Sequence, residues 1–368
     1  MTEVPPGKRR RAGRAQTAAV LSLAAAHLAL VPPSAHAADP AGCTRDGTHI
    51  TCTNGLPEGQ TLTGTGGNDT IEITGTVHGT VDGAGGADTI TIRGRRGARG
   101  HDTVRRSGGR AGQGEHAVGD HGSVLGGDGN DVITLIGGDG GRGGDVIEGS
   151  RVRAGHGGTG GFGLDGGTVD GGRGINLITV RGGNGGVSGA NLNGSGEEAG
   201  YAGSGGDGIR SGHVIVGTDQ HSSLIAEGGD GASAPLRAER AGPGGTGVST
   251  ARLKVGPAPG GVSIRFTGGD SGFGGHHAMA GGSGMYFVQL VGTPGDDDIR
   301  LEGGSSHTGG VRGRGLNVSI VKTGDGDDII TADGSSSSID CGEGNDTYTY
   351  RGRRGTVSPT CEHISRSQ

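Results

Sequence analysis

Short runs of alternating apolar and polar residues recur along almost the whole chain, and glycines bound each run. Strict alternation over four or five residues is typical of a β-strand with one buried face, and no window after residue 37 shows a sustained helical period. The clearest runs are 70–73, 89–92, 132–135, 178–180, 262–266, 318–321 and 347–350. Ile, Val and Leu would face inward, and Thr, Arg and Glu outward. The pattern predicts an all-β chain built from repeated short rungs.

The amino-acid composition limits what these rungs can enclose. Glycine occupies 91 of 368 positions, the residues AVILMFWYC supply 29%, Trp is absent, and there are four Phe and four Tyr. A globule packed with large side chains is therefore excluded. A collagen triple helix is excluded as well, because glycine does not keep a strict period of three and prolines number only 12. Either a disordered low-complexity chain or a repetitive fold with a narrow core remains.

A longer repeat favours the repetitive fold. A strand-like run followed by Gly-Gly recurs at Gly137, Gly182, Gly228, Gly268 and Gly303, at intervals of 45, 46, 40 and 35 residues. Uneven intervals of this size predict a glycine-rich parallel β-solenoid, a β-helix or β-roll, with short rungs and loops of variable length. Glycine would serve tight turns with positive φ and close backbone approach.

The chain divides into four regions by composition. Residues 1–37 resemble a secretory signal peptide, with a basic start, an apolar stretch at 18–31 and Ala35-His36-Ala37 as a cleavage site. Residues 38–150 are rich in Gly-x-Asp turns, residues 151–290 are glycine-rich with few such aspartates, and residues 291–368 regain them. For the third of these regions, partial disorder is the alternative. The signal predicts a secreted, extracellular protein without a membrane span.

Eight segments align on one nine-residue frame with aspartate at the sixth position and, in most, glycine at the first and fourth. They are GTGGNDTIE at 64, GAGGADTIT at 83, GARGHDTVR at 97, GGDGNDVIT at 126, GGRGGDVIE at 140, GTPGDDDIR at 292, TGDGDDIIT at 323 and CGEGNDTYT at 341. The aspartates are Asp69, Asp88, Asp102, Asp131, Asp145, Asp297, Asp328 and Asp346. Glycines would let carbonyl oxygens converge, and the carboxylate would add the charge that a hard cation needs. These eight aspartates are the candidate metal ligands.

The frame resembles the calcium-binding nonapeptide GGxGxDxUx of the RTX, or haemolysin-type, repeat family. The chain's ending, from Cys341 to Glu362, also resembles that of secreted actinobacterial proteins with such repeats. The resemblance implies Ca²⁺ held by sixth-position aspartates and backbone carbonyls of stacked turns. Spacings of one coil favour the pairs Asp69 with Asp88 and Asp328 with Asp346, whereas Asp102 and Asp145 follow their neighbours by only 14 residues.

Other copies of the frame lack the carboxylate. GGRGINLIT places Asn176 at the sixth position, GGDGIRSGH places Arg210 there, and GGSGMYFVQ places Tyr286. The glycine turn can thus be structural only, and an aspartate can cap such a turn without an ion.

Cysteines and net charge fit an exported protein. Cys43 and Cys52, and Cys341 and Cys361, are expected to pair locally and to staple the two ends of the solenoid. Without residues 1–37 the chain carries 27 Lys and Arg against 37 Asp and Glu, a net charge of about −10 that disfavours nucleic acid as a partner and suits cations. A basic patch at 93–110 is expected to be a solvated loop.

The sequence therefore predicts an exported calcium-binding structural β-solenoid that is not an enzyme, with Ca²⁺ as cofactor and a cell surface or extracellular matrix as its contact. One alternative is an ion-independent adhesive or structural solenoid, whose aspartates are turn caps. Another is a β-helix that degrades polysaccharides, which eight aromatic residues disfavour.

Overall fold

The computed structural model describes residues 39–148, 152–192, 199–219, 221–234, 240–256, 258–274, 277, 279–307 and 309–367. The signal peptide prediction lies outside these residues. The described residues form 27 strands and no helix, and none of their segments is a long apolar helix that could cross a membrane. The all-β prediction is confirmed.

The strands form four sheets. The first sheet contains β1 (Cys43–Asp46), β2 (His49–Cys52), β4 (Thr70–Thr74), β6 (Thr89–Arg93), β8 (Val132–Ile136), β11 (Leu177–Arg181), β14 (Ser222–Glu227), β17 (Val262–Thr267), β20 (Asp298–Glu302), β23 (Ile329–Asp333), β25 (Thr347–Arg351) and β27 (His363–Arg366). The second contains β3 (Thr61–Thr63), β5 (Thr80–Asp82), β7 (Ser123–Leu125), β10 (Thr168–Asp170) and β13 (His213–Ile215). The third contains β9 (Leu164–Asp165), β12 (Ile209–Arg210), β15 (Val248–Ser249), β18 (Met285–Tyr286) and β21 (Leu316–Asn317). The fourth contains β16 (Arg252–Lys254), β19 (Gln289–Val291), β22 (Ile320–Asp325), β24 (Ser338–Glu343) and β26 (Thr356–Val357).

Every strand pair but one is parallel and joins successive coils, which makes the chain a parallel β-solenoid. The exception is the hairpin of β1 and β2, which covers the N-terminal end of the first sheet. Buried side chains stack in register along the first sheet, as in the column Ile50, Ile71, Ile90, Ile133, Ile178, Leu224, Ile264, Ile299, Ile330 and Tyr348. Burying one such side chain stabilises the fold by about 1.5–3 kcal/mol. The alternation of the strand runs is what produces this narrow core.

Coil length changes along the axis. The column residue recurs after 19 residues from Ile71 to Ile90, after 43 to 46 residues in the next three coils, and after 18 residues from Ile330 to Tyr348. Short coils at both ends and long coils in the middle explain why the Gly-Gly intervals are uneven.

The extra residues of the long coils are not irregular loops. They run out from the first sheet in segments 94–103, 137–146, 182–190, 228–234 and 268–273, and back in segments 108–117, 153–163, 200–208 and 240–247. Backbone hydrogen bonds to the next coil recur at every third residue, as for the amides of Gly137, Gly140 and Gly143, which donate to carbonyls 44 residues further on. Three residues per turn is the period of the polyproline II helix. We call these segments the outgoing rods and the return rods.

Glycine in the rods serves close approach and not positive φ. A Cβ on Gly138 would lie 1.9 Å from the carbonyl oxygen of Arg95, and neither Gly138 nor its neighbours in the rod have positive φ. Glycines with positive φ lie instead at turns, and Gly86 and Gly129 are examples in the nine-residue frames. Glycine spacing over the whole chain does not reveal this local period of three, because rods and strands alternate.

Both disulfide pairings are confirmed. Cys43 pairs with Cys52 in the N-terminal hairpin, and Cys341 pairs with Cys361 beside the last coil. Cys361 is 4% exposed and lies two residues before β27, so its bond fixes the strand that ends the first sheet.

Removing the C-terminal disulfide is expected to loosen only the last coils. Closing a 20-residue loop with a disulfide stabilises a fold by about 3 kcal/mol. In a solenoid each coil contacts only its neighbours, so this stabilisation is confined to the coils next to the disulfide. In Cys341→Ala/Cys361→Ala, backbone amides of β27 should exchange with deuterium at least about tenfold faster, whereas those of β8 and β11 should not change. Unchanged exchange in β27 would contradict this role.

Candidate metal centre

Six of the eight sixth-position aspartates lie in one buried column at the corner where each coil enters the first sheet. Asp69, Asp88, Asp131, Asp297, Asp328 and Asp346 are each at most 2% exposed. Each directly precedes a strand of that sheet. The predicted stacking of Asp69 on Asp88 and of Asp328 on Asp346 follows from the strand register, because Thr70 pairs with Thr89 and Ile329 with Thr347.

A hydrogen-bond ladder joins these side chains from coil to coil. The backbone amide of Asp69 donates to Oδ1 of Asp88 at 2.7 Å, and that of Asp88 donates to Oδ1 of Asp131 at 2.8 Å. In the C-terminal region the amide of Asp297 donates to Asp328 and that of Asp328 to Asp346. From Asp88 onward, one carboxylate oxygen accepts the hydrogen bond of a backbone amide in the preceding coil, whereas Asp69 accepts from Thr65 in its own turn. We call this column the aspartate ladder.

Uncharged residues and a glutamate extend the ladder. The amide of Asp131 donates to Oδ1 of Asn176 at 2.9 Å, and the amide of Asn176 donates to Oγ of Ser222 at 3.0 Å. At the other end, the amide of Asp346 donates to Oε2 of Glu362. The amide-accepting function therefore needs only an oxygen at this position, not a charge.

The second carboxylate oxygen in most of the ladder has no hydrogen-bond partner. Oδ2 of Asp88, Asp131, Asp328 and Asp346 and Oδ1 of Asp69 are buried and unpartnered. Leaving a buried acceptor unsatisfied costs about 1–3 kcal/mol, and more when it is charged. The ladder thus contains ligand atoms that the protein itself does not use.

A glycine at the first frame position lets these oxygens approach the backbone of the next coil. The position of a Cβ on Gly83 lies 2.4 Å from Oδ2 of Asp88 and 2.4 Å from the carbonyl oxygen of Gly126 in the next coil. The same arrangement surrounds Gly126, with Asp131 Oδ2 at 2.6 Å and the Gly171 carbonyl at 2.5 Å. A side chain at Gly83 or Gly126 would clash with both oxygens, so glycine is what lets a carboxylate and a carbonyl oxygen converge, and these are the donor types that Ca²⁺ prefers.

The C-terminal pair differs, because side chains occupy the corresponding space. Thr323 and Cys341 stand where the N-terminal frames have glycine, and the Thr323 hydroxyl donates to the Cys341 carbonyl at 2.5 Å. Asp297 keeps its glycine, Gly292, but both of its carboxylate oxygens accept hydrogen bonds from Thr293. Asp88 and Asp131 therefore combine a first-position glycine with an unpartnered Oδ2.

Burial raises the pKa of the ladder carboxyls. Loss of solvation raises the pKa of Asp88 to about 6 and that of Asp328 to about 7, against the opposing effect of the hydrogen bonds that they accept. The pKa values of Asp131, Asp297 and Asp346 are raised for the same reason. Neighbouring carboxylates add to the shift at Asp88 and Asp328. The ionised ladder is thus disfavoured unless a cation compensates it.

Asp102 and Asp145 lie outside the ladder, on the first two outgoing rods. The Arg99 guanidinium pairs with Asp102 at 2.9 Å, and Arg142 pairs with Asp145 at 2.8 Å. The backbone amide of Asp145 donates to Asp102 and, with Arg99 nearby, lowers the pKa of Asp102. GGRGGDVIE matches the frame fully and yet forms part of a rod. Glycines spaced by three along a rod satisfy the same sequence pattern. Arg210 and Tyr286 also lie away from the corner, in the third sheet.

A second column of side chains, which was not predicted from the sequence, accepts hydrogen bonds from the backbone amides of the fifth frame positions. The amide of Ala87 donates to Oδ1 of Asn68, that of Ile175 to Asn130, and that of Asn345 to Asp327. The recurrent Asn or Asp immediately before the sixth position was the available signal. In the part of the chain that the structure describes, no three His, Cys, Asp or Glu side chains converge on one metal position. Carbonyls would therefore supply part of any coordination shell.

Comparison with known proteins gives few matches. No protein-family model matches the chain, and no curated protein is similar to it. A matching solved structure is described as that of a hyperactive, Ca²⁺-dependent, β-helical antifreeze protein from an Antarctic bacterium. It shares 14% identity over 89% of this chain and 87% of that chain, with a TM-score of 0.23. At this TM-score the two structures do not superpose, and the solenoid assignment rests on the strand register.

Proposed function

We propose that this chain is an exported structural β-solenoid whose N-terminal coils bind Ca²⁺ through the aspartate ladder, and that it has no catalytic role. The observation that carries the calcium proposal is the buried, unpartnered Oδ2 of Asp88 and Asp131 beside a glycine and a carbonyl of the next coil. Two disulfides are consistent with the oxidising environment outside the cell.

Electrostatics gives calcium a stabilising role. Asp69, Asp88 and Asp131 stand in three successive coils, about 4.8 Å apart along the axis, and each is shielded from water. When all three ionise, their mutual repulsion and lost hydration oppose folding. An ion between carboxylate and carbonyl oxygens would offset both. Extracellular calcium sites bind at about 10⁻⁴–10⁻³ M, and binding at 100-fold excess over Kd stabilises by about 2.7 kcal/mol per site.

The calcium proposal is tested with isosteric variants of residues 38–368. Asp69→Asn/Asp88→Asn/Asp131→Asn keeps the amide-accepting oxygen, as Asn176 does, but removes the charge. Wild type should gain at least about 5 °C in Tm on addition of 10 mM CaCl₂ after EDTA, and more than with MgCl₂. The triple variant should lose most of this gain.

The matched control is Asp102→Asn/Asp145→Asn, which removes the carboxylates of two frames outside the ladder. It should keep the full calcium response. Equal loss in both variants would assign the response to overall charge, and a wild-type Tm unaffected by calcium would refute calcium binding.

An ion-independent structural solenoid is the second candidate, and Asn176 and Ser222 favour it. Both accept the amide of the preceding coil without a charge, and the strands around them keep their register. If this candidate is correct, the triple Asn variant melts at or above the wild-type temperature in EDTA, and neither protein responds to calcium.

A further inference from the structure

A cluster of arginines with too few acidic partners lies at the C-terminal end of the solenoid. Arg312 and Arg351 both pair with the same oxygen, Oδ2 of Asp333. Arg314 lies close by, and its hydrogen bonds within the described residues go to the neutral side chains of Asn317 and Ser336. One carboxylate thus faces three guanidinium groups, although the chain as a whole is acidic.

The three arginines line a depression with a floor of glycines. Arg312, Arg314, Arg351 and Asp333 surround Gly313, Gly334 and Gly352, and the depression has a volume of about 240 Å³. A Cβ on Gly334 would meet nothing closer than 3.8 Å, so the floor is open. Arg353 and Arg354 are exposed in the turn that follows β25. Planar guanidinium groups around an open floor suit an oxyanion, because each can donate two hydrogen bonds to it.

Two exposed aromatic rings lie in the coil that precedes Arg314. Tyr286 and Phe287 are 38% and 53% exposed, and their rings meet edge to face at 4.6 Å. Tyr286 pairs in register with Asn317, the residue that Arg314 contacts. The φ of Phe287 is 52°, and Thr250 and Val318 at the same corner of the adjacent coils have φ of 49°, so this backbone is a recurring corner of the coil. The chain has only eight Phe and Tyr residues, and two of them are exposed side by side here.

We infer that Arg312, Arg314 and Arg351, together with Tyr286 and Phe287, form a binding site for an acidic polysaccharide that carries sulfate or phosphate esters. Three guanidinium groups match the several oxygens of a tetrahedral ester better than the two of a carboxylate. The aromatic rings offer an apolar face to a sugar ring. The site is independent of the aspartate ladder.

The test measures binding of the full chain from residue 38, in calcium-containing buffer, to heparin, phosphomannan, dextran, duplex DNA and inorganic sulfate by titration calorimetry. Wild type should bind heparin or phosphomannan, and the better of the two identifies the ester. Arg312→Gln/Arg314→Gln should weaken this binding at least about tenfold. Arg105→Gln/Arg173→Gln, which removes two exposed arginines of the N-terminal half, should change it less than about twofold.

A third variant separates the sugar from its charged group. Phe287→Asn suits a positive φ and removes the ring, so it should weaken polysaccharide binding but leave the binding of inorganic sulfate unchanged. Far-ultraviolet circular dichroism confirms that each variant is folded. The inference is overturned if wild type binds neither polysaccharide, if both arginine double variants lose affinity equally, or if DNA binds as tightly as the polysaccharides and Phe287→Asn has no effect.

Discussion

Gly158→Ala is expected to destabilise the protein by about 3 kcal/mol or more, although it adds a single methyl group. Gly158 lies in a return rod, where its Cβ would come 1.8 Å from the carbonyl oxygen of Gly112 and 3.0 Å from the amide nitrogen of Gly141. Both neighbours are backbone atoms of other rods, held by hydrogen bonds, so neither can move aside without breaking the bundle. The expected result is a lower urea midpoint and faster hydrogen exchange in the rods.

Gly66→Ala is the matched control for this substitution. Gly66 lies in a frame turn near the N-terminus, without positive φ, and nothing lies within 4 Å of its Cβ position. Both substitutions reduce the conformational entropy of the unfolded chain to the same extent. Gly66→Ala should therefore change the stability by no more than about 0.5 kcal/mol. If Gly158→Ala behaves in the same way, the rods are not packed as described.

Without calcium, stability is expected to fall as the pH rises from about 4 to 7. The folded-state pKa values of about 6 for Asp88 and about 7 for Asp328 lie above the ordinary value of 3.8, so the folded chain binds more protons than the unfolded chain in this window. This contribution is fully present below pH 3.8 and is lost as the pH passes through 6 and 7. In EDTA, Tm should drop by at least about 5 °C between pH 4 and pH 7.5.

Thermal melts at half-unit pH intervals check this prediction, with and without 10 mM CaCl₂. Calcium should flatten the profile near neutral pH if it compensates the ionised ladder. Asp88→Asn/Asp328→Asn should flatten it in EDTA, because neither amide titrates. A Tm that rises steadily from pH 4 to 7 would contradict the buried, raised-pKa state of these carboxyls.

The sequence by itself determined the solenoid, its inward-facing residues and the disulfide pairs. Alternation in a run such as 70–73 depends on adjacent residues only. Asp69 and Asp88 are one short coil apart, so their stacking also follows from a short sequence separation. Cysteines separated by 9 and 20 residues at opposite ends of a long stack have only local partners within reach. These features follow from short-range chemistry, which the sequence displays directly.

Only the tertiary structure decided which frames share the ladder. GGDGNDVIT and GGRGGDVIE match the nonapeptide equally well, yet Asp131 is buried in the corner and Asp145 lies on a rod. The backbone partners of both segments lie 43–45 residues away, in the neighbouring coils, and they differ between the two segments. A glycine every third residue permits a tight turn as well as a polyproline II rod. The contacts with the adjacent coil select between them, and no local pattern contains that information.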